Sequence, residues 1–480
     1  MLLFAAALAL TPAAAQQVRY LDPRDVAQAQ RENAQVIQEL GGAETGPRAA
    51  YVDSVGRRVA AFSGIASSGQ VLHFTTLNSA VENAFSVPGG YVYITRQLMT
   101  LMGDESQLAF ALGHEVGHIA ANHEHQREEV ERELSWQALP YIMMGQMMGG
   151  YANQIALRNL LAVKLQTLSF SREQEYEADT LGLRYMIEAG YDPAGAAQLL
   201  ASLARETALQ ARVQGRTNRQ IPEWASTHPL SENRMQRALD EARQTGRLGT
   251  GLHNRDPFLN ELEGITVDDD PAQGIIDGPV FTHPDLRIQF RVPTGYLMSN
   301  GSYAVTISGS GGKAQFTGGR YSGSLDNYIV KVLEQLTRGG QLEVPRPTRT
   351  TVNGLPAAFT TVRVNTNSGV LDVSVVAYQW DPQHVYHFVM LTPGGTGIGP
   401  FRPMVDSLRK ISSEEAAAIR PRIIHVVTVG PGDTVQSLAD RMAYRDFKLD
   451  RFLTLNGLSA DSRLVPGQKL KLIVYGARRS

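Results

Sequence analysis

The sequence predicts an α+β protein of several domains: a mainly helical domain with a small sheet, an α+β domain, and a small βααβ module. Three observations lead to this prediction. The chain has 480 residues, and a domain averages roughly 150 residues. Apolar residues recur at helical spacing through most of the first half, whereas residues 280–412 mostly alternate like strands. The pattern of the final segment predicts the order strand, helix, helix, strand, with Gly and Pro at its turns.

The composition excludes several classes of function. Lys and Arg number 45 against 47 Asp and Glu, which gives a net charge of −2. No broad nucleic-acid-binding surface is therefore expected. The chain has no cysteine, and this excludes thiol catalysis, structural disulfides and lipid attachment at a cysteine.

Residues 1–15 are predicted to be a signal peptide. An apolar run, Met1 to Leu10, is followed by Ala13-x-Ala15, a pattern typical of a cleavage site. The run is too short to span a bilayer, which needs about 20 apolar residues. No Lys or Arg precedes it, so either the true start lies upstream or the run is a buried N-terminal helix. Export to the periplasm is the favoured interpretation.

The central motif lies in a helix predicted from Leu108 to Asn122, with Asp104 as its N-cap. His114 and His118 are four residues apart, so they lie one above the other on one helix face. Two imidazoles in this arrangement can bind one Zn²⁺, with Glu115 between them as a base that acts on water. Short patterns of this kind also occur in unrelated helices, so this motif alone leaves the zinc site open.

A catalytic zinc site needs a third protein ligand. The segment from Ser171 to Gly182 contains Glu175 and Asp179, again four residues apart on a predicted helix. One of them can bind the metal while the other holds a ligand imidazole by a hydrogen bond. The alternative is an ordinary solvated acidic face, because Glu173 and Glu177 lie in the same segment.

Together these motifs resemble a family of integral-membrane and periplasmic zinc peptidases that includes the CAAX prenyl protease, HtpX and BepA. That family carries HExxH and then ExxxD on a second helix. Two further segments match it here, residues 83–90 (NAFSVPGG) and 226–229 (STHP). The resemblance implies a gluzincin metallopeptidase domain, with predicted bounds 16–262, that binds one zinc ion. The implied ligands are His114, His118 and Glu175, with Glu115 as the base and Asp179 supporting a ligand from behind.

The resemblance also implies roles for the two flanking segments. Asn83, Ala84 and Phe85 lie in a predicted strand–turn–strand whose edge would line the cleft and pair with the backbone of an extended substrate. The alternative is an ordinary hairpin. His228 could stabilise the oxyanion, or occupy the water's coordination position in a closed resting state. It could also be a simple histidine at a helix start.

Three segments between these motifs have less specific patterns. His123 and His125 lie in a charged run and are expected on a solvated face. Residues 138–163 are rich in Met and Gly but interrupted by polar residues, which argues against a membrane span. We expect a lid, a peripheral contact with lipid or unfolded protein, or a core helix there. Residues 205–220 are polar and predict a mobile loop.

The second half predicts a linker at residues 263–279, an α+β accessory domain at 280–412, and a final module at 422–476. The accessory domain vaguely resembles PsbP and shows no catalytic pattern. The final module resembles LysM domains, through Gly432-Asp433-Thr434, Asn456-Gly457-Leu458 and Pro466-Gly467-Gln468. That resemblance implies binding to peptidoglycan glycans, although such modules also serve as packing units.

Taken together, we expect a zinc metalloendopeptidase of the periplasm, associated with peptidoglycan or the outer membrane. Its expected substrates are unfolded or misassembled envelope proteins, as in protein quality control. The competing interpretation is a non-hydrolytic, peptidoglycan-anchored chaperone or scaffold with a regulatory zinc site. A third interpretation is a peptidoglycan peptide hydrolase.

Overall fold

The computed structural model describes residues 18–124, 170–213, 228, 232–301, 304–336, 344–366 and 369–477. The predicted signal peptide at 1–15, the segment 138–163 and His125 lie outside these residues. Helices and strands are mixed along the chain, as the α+β prediction requires. In the described part, no helix is both long and apolar enough to cross a membrane.

The N-terminal part packs helices around a small sheet. Its helices are α1 (Pro23–Glu39), α2 (Pro47–Ala60), α3 (Ser68–Val71), α4 (Arg96–Leu101), α5 (Glu105–Ala121), α6 (Arg172–Glu188), α7 (Ala194–Val213), α8 (Glu232–Gln244) and α9 (Arg255–Leu262). Its strands are β1 (His73–Leu77), β2 (Ala84–Val87) and β3 (Tyr91–Thr95), in the order β1-β3-β2. Strand β1 runs parallel to β3, and β2 runs antiparallel to it. Gly89 and Gly90 form the predicted turn with φ of +93° and +94°, which glycine adopts without strain.

Helix α5, which carries the central motif, is buried along almost its whole length. It begins after Asp104, whose side chain accepts a hydrogen bond from the backbone N–H of Gln107, so the predicted N-cap is confirmed. Helix α6 packs very close to α5 at Gly182. A Cβ at this position would lie only 2.7 Å from the backbone nitrogen of His114. The close packing of these two helices brings the carboxylates of α6 up to the histidines of α5.

The α+β part is built on a seven-stranded sheet. Its elements are β5 (Ile275–Asp277), β6 (Val280–His283), β7 (Ile288–Arg291), β8 (Leu297–Asn300), β9 (Val305–Gly309), β10 (Gly312–Arg320), α10 (Leu325–Leu336), β11 (Thr348–Val352), β12 (Leu355–Thr366), β13 (Gly369–Asp381), β14 (His384–Pro393), α11 (Arg402–Ser407), β15 (Arg409–Lys410) and α12 (Ser413–Ala418). The large sheet has the order β11-β12-β13-β14-β10-β9-β8, and a four-stranded sheet has the order β15-β7-β6-β5. Helix α10 packs on one face of the large sheet through Ile329 and Leu333. The other face packs on the smaller sheet through residues such as Phe290 and Phe388.

The C-terminal module has the predicted strand–helix–helix–strand order: β16 (Arg422–Thr428), α13 (Val435–Ala439), α14 (Lys448–Asn456) and β17 (Lys469–Tyr475). Its sheet gains a third strand, β4 (Thr266–Val267), which pairs with β16. Strand β4 belongs to segment 263–279, which was predicted to be a linker and is instead folded. The acidic run in this segment suggested solvent, but Asp268 pairs with Arg422 at 2.9 Å and Asp269 accepts a hydrogen bond from Ile276.

The module packs directly on the helical part. Ile424, Phe452 and Leu470 belong to the same apolar cluster as residues of α2, α5 and α7. The buried ammonium of Lys471 donates to the backbone carbonyls of Thr100 and Met102, each at 2.6 Å, at the end of α4. Because these carbonyls immediately precede α5, the module is attached close to the start of that helix.

Helix α7 corrects the prediction of a mobile loop at residues 205–220. The helix continues to Val213, and Leu209 on it is buried. Arg212, one turn further, pairs with Asp450 of the module at 2.7 Å. The polar sequence is therefore helical where it lies against the C-terminal module, and residues 214–220 lie outside the described part.

Candidate metal centre

Four side chains from three segments of the chain converge on one point. His114 and His118 lie on α5, Glu175 lies on α6, and His228 precedes α8. One possible ligand atom from each lies within 4.8 Å of the others, and all four side chains are buried. The structure therefore brings the three predicted ligands together and places His228 beside them.

The distances between these atoms fit a tetrahedral zinc ion. Zinc–nitrogen and zinc–oxygen bonds of roughly 2.0–2.1 Å give a tetrahedron with edges of roughly 3.3 Å. The Nε2 atom of His114 is 3.0 Å from Nε2 of His118 and 3.3 Å from Nδ1 of His228. Oε1 of Glu175 lies 2.9 Å from His228 Nδ1 and 3.6 Å from His118 Nε2, whereas Oε2 lies 3.7 Å from His114 Nε2. Three imidazoles and one carboxylate are also ligand types that zinc binds in proteins.

At His118 and Glu175, burial and charge favour the ionisation states that bind a metal, whereas the charges of Glu175 and Glu115 raise the pKa of His228 against the effect of burial. Burial, together with the neighbouring His114 and His228, lowers the pKa of His118 well below its usual value. Burial alone would raise the pKa of Glu175, but the charges of His228 and Arg234 bring that pKa below its usual value. A neutral imidazole and an ionised carboxylate are the forms that coordinate a metal.

Asp179 and Arg234 lie directly behind the converging side chains. Asp179 Oδ1 is 3.0 Å from His114 Nδ1, on the side of the ring opposite Nε2. Arg234, on α8, donates from Nε and Nη2 to the two oxygens of Asp179 at 2.8 and 2.7 Å. Its Nη1 lies 2.6 Å from Glu175 Oε2. One buried guanidinium thus holds both carboxylates. The sequence pattern does not indicate this role for Arg234, because an arginine on an amphipathic helix is usually exposed.

Glu115 lies next to the four converging side chains and is fully buried. Its Oε2 accepts a hydrogen bond from the Ser86 hydroxyl at 3.1 Å, and its Oε1 is 3.6 Å from His228 Nε2. Ser86 was not predicted, because a serine within a short strand carries no recognisable signal. The hydroxyl of Ser86 fixes the carboxylate of Glu115 on the side facing β2.

The prediction that His123 lies on a solvated face is wrong. Its side chain is buried, with Nδ1 3.0 Å from Nδ1 of His118 and Nε2 3.3 Å from the Glu177 carboxylate. The prediction relied on the charge of the run in which His123 lies. Helix α5 ends at Ala121, and its C-cap Asn122, with a left-handed φ of 59°, redirects the chain and places His123 behind His118.

The side chains predicted to line the substrate cleft do not line an open surface; these are Asn83, Ala84 and Phe85. All three are buried, and Phe85 stacks on Tyr93 with ring centroids 4.8 Å apart. In the part of the chain that the structure describes, β2 pairs only with β3, so its other edge has no strand partner. A contact with substrate at these positions would therefore use the backbone of β2, and it stays a prediction.

The geometry agrees with what comparison with known families finds. Residues 47–242 match the family model described as Peptidase family M48. This segment is an M48 peptidase domain. Residues 427–472 match the LysM domain family. The M48 match lies within the predicted bounds 16–262, and it contains every predicted site residue.

Relatives of the M48 domain are named as proteases. Over 199 residues the chain is 32% identical to the Beta-barrel assembly-enhancing protease of Escherichia coli (strain K12), covering 40% of this chain and 39% of that protein. Over 222 residues it is 28% identical to the Mitochondrial metalloendopeptidase OMA1 of Schizosaccharomyces pombe, covering 46% and 61%. The chain thus spans about two-fifths of the length of the first relative and three-fifths of the second. The M48 domain and these relatives support a metalloprotease.

Among solved structures, cyanobacterial PsbP (CyanoP) from Synechocystis is 10% identical, with a TM-score of 0.22. The likeness covers 28% of this chain and 91% of that protein. A TM-score this low supports no conclusion, so the PsbP-like character of residues 280–412 stays a prediction.

Proposed function

We propose that the chain is a zinc-dependent metalloendopeptidase of the bacterial cell envelope. The observation that carries this proposal is the convergence of His114, His118 and Glu175 in tetrahedral spacing, with the carboxylate of Glu115 beside them. The M48 domain and its metalloendopeptidase relatives support peptide-bond hydrolysis as the reaction.

The proposed mechanism assigns a role to each side chain. His114, His118 and Glu175 would hold the zinc ion. Zinc at such a site supplies a Lewis acid and lowers the pKa of a water molecule towards about 7. Glu115 would accept a proton from the attacking water as its oxygen adds to the carbonyl carbon, and would return that proton to the amine nitrogen as the C–N bond breaks. Asp179 would orient His114, because an N–H on Nδ1 that donates to the carboxylate 3.0 Å away leaves the lone pair of Nε2 directed at the metal.

His228 would control access to the fourth coordination position. Its Nδ1 lies 3.3 Å from His114 Nε2 and 2.9 Å from Glu175 Oε1, close to the edges of the tetrahedron. We propose that His228 occupies the water's position, so that the described conformation is a closed resting state. The alternative role as an oxyanion stabiliser requires His228 to move away from this position when substrate binds.

Replacing His228 with Ala tests this role. Vacating the fourth position should raise the rate of proteolysis, because water gains access beside Glu115, and should lower zinc affinity, because one ligand is lost. Both are measured on purified full-length protein, with His425→Ala as a control in an exposed histidine outside the site. A fall in kcat of about 10²–10³-fold would instead indicate the loss of an oxyanion donor.

The proposed substrates are unfolded or misassembled envelope proteins. The Escherichia coli relative is named for enhancing β-barrel assembly, which connects a related M48 domain with outer-membrane proteins. In the described residues, β2 has no strand partner on the edge away from β3, and this edge would suit an extended, unfolded chain, because such pairing recognises backbone. We propose export to the periplasm through residues 1–15, and contact with peptidoglycan through the LysM domain. A peripheral membrane contact through 138–163 falls outside the described residues.

The direct test combines metal content with proteolysis. Purified wild type is expected to bind one zinc per chain and to degrade a loosely folded, casein-type substrate, whereas Glu175→Ala should lose both zinc and activity. Glu173→Gln, an exposed acid on the same helix, is the matched control and should keep both. Absence of zinc in wild type after incubation with the metal would refute the proposal.

The competing function is a non-hydrolytic scaffold or chaperone anchored to peptidoglycan, and the LysM match favours it. Isolated sacculi distinguish the candidates. Zinc-loaded protein that sediments with sacculi but hydrolyses nothing, even as His228→Ala, would support the scaffold. Release of peptides from the sacculi would instead indicate a peptidoglycan peptide hydrolase.

A further inference from the structure

Both histidines of α5 have a hydrogen-bonding group behind the ring, but the two groups differ. Behind His114, Asp179 Oδ1 lies 3.0 Å from Nδ1. Behind His118, the atom at 3.0 Å from Nδ1 is another imidazole nitrogen, Nδ1 of His123. The far nitrogen of His123 lies 3.3 Å from Glu177 Oε2. His118 is therefore connected to a carboxylate through a second histidine.

This arrangement determines which nitrogens carry protons. The Nε2 atom of His118 faces His114 Nε2 and Glu175, so its lone pair must be available to the metal. A neutral imidazole has one N–H, which must then be on Nδ1 of His118. Since that N–H donates to Nδ1 of His123, the proton of His123 lies on its Nε2 and is donated to Glu177.

We propose that Glu177 and His123 form a positioning relay that fixes the tautomer of His118 and directs its Nε2 at the metal. This inference rests on the proposed role of His118 as a zinc ligand. Neither residue touches the metal or substrate, so both act through His118. The relay is equivalent to the direct carboxylate contact that Asp179 makes with His114.

The packing around His118 supports a positioning role. The ring of Phe170 stacks on His118, with centroids 3.8 Å apart, so the imidazole is held in its plane as well as at its far nitrogen. Glu175, Glu177 and Asp179 all lie on α6. This one helix therefore supplies a predicted zinc ligand, the carboxylate that contacts His114 and the carboxylate that contacts His123. The two carboxylates differ in exposure, since the side chain of Glu177 is 59% exposed and that of Asp179 is 9% exposed.

Zinc affinity of the full-length protein, measured by competition with a chromogenic chelator, tests the relay without relying on activity. His123→Leu keeps a similar volume but removes the acceptor, and it should weaken zinc binding by about 10–100-fold. His123→Asn should recover most of the affinity, because its amide oxygen is bonded to Cγ as Nδ1 is in histidine. Glu177→Gln should have a smaller effect, because water can replace an exposed partner, and Glu173→Gln should have none.

The tautomers themselves provide a second measurement. Long-range ¹H–¹⁵N spectra of the zinc-loaded wild type should show His118 protonated on Nδ1 and His123 on Nε2. A His123 protonated on Nδ1, or a His123→Leu variant that binds zinc as tightly as wild type, would overturn the relay and leave the proposed function intact. A wild type that binds no zinc at all would overturn the proposed function and the relay with it.

Discussion

Glu115→Gln is expected to lower kcat/KM for protein substrates by roughly 10³-fold, the usual contribution of a general base. The amide keeps the shape of the side chain and can still accept a hydrogen bond from Ser86, which lies 3.1 Å from the carboxylate in the wild type. An amide cannot accept the proton of water, so the first step of hydrolysis should become slower by this factor. The zinc content should stay at one per chain, because Glu115 is not among the proposed ligands.

Two measurements separate loss of the base from loss of the site. Zinc content per chain and thermal unfolding should match those of wild type, and the Glu173→Gln control should keep full activity. Activity close to wild type in Glu115→Gln would remove this residue from the role of base. Loss of zinc together with activity would instead place Glu115 among the metal ligands.

Arg234→Met is expected to lower the free energy of unfolding of the metal-free protein by about 3–5 kcal/mol, the usual cost of breaking a buried ion pair. The substitution leaves Glu175 and Asp179 buried without the guanidinium that contacts both at 2.6–2.8 Å. Arg234 lowers the pKa of Asp179 against the effect of burial, and His228 together with Arg234 does the same for Glu175. Urea unfolding in the presence of a chelator measures the change.

The same helix offers a control for the loss of an arginine. Arg243 is 58% exposed and pairs with Asp240 at 3.2 Å, so Arg243→Met should change stability by less than about 1 kcal/mol. Arg234→Lys keeps the charge, but a single ammonium cannot bridge two carboxylates as a planar guanidinium does. It should fall between wild type and Arg234→Met. Equal stability of Arg234→Met and Arg243→Met would contradict the central role of Arg234.

The sequence could locate the helices that carry His114, His118, Glu175 and Asp179 because helix period and capping are local properties. The spacing of four residues places each pair on one face, and Asp104 and Ser171 both cap their helices with side-chain oxygens. The contact between these two helices could not be predicted from either helix sequence alone. It depends on Gly182, where the absence of a side chain lets α6 approach the backbone of α5.

Ser86, Arg234 and His123 could not be predicted, because each enters the site through tertiary structure. Ser86 reaches Glu115 across the contact between β2 and α5, and Arg234 reaches α6 from a helix more than 50 residues further along the chain. His123 depends on a single left-handed residue, Asn122, that ends the helix. Hydrophobic periodicity contains no information about any of these three contacts.

The folded segment 263–279 shows the same limitation for domain boundaries. Its acidic run is polar enough to suggest a linker. Arg96, which lies far away in the sequence, nevertheless donates to the backbone carbonyls of Thr266 and Asp268. Such a segment is held by cations that lie more than 150 residues away, and a local window cannot detect them.

The ammonium of Lys471, enclosed between the carbonyls of Thr100 and Met102, has a consequence for how the protein would work at a surface. A module on a flexible tether lets its enzyme sweep a volume set by the length of the linker. Here the module packs directly on the peptidase domain, and Lys471 bonds to carbonyls just before α5. If the module binds peptidoglycan as proposed, this contact would set the distance of the metal centre from the glycan layer. The proposed peptidase would then cut substrates at that distance from the wall.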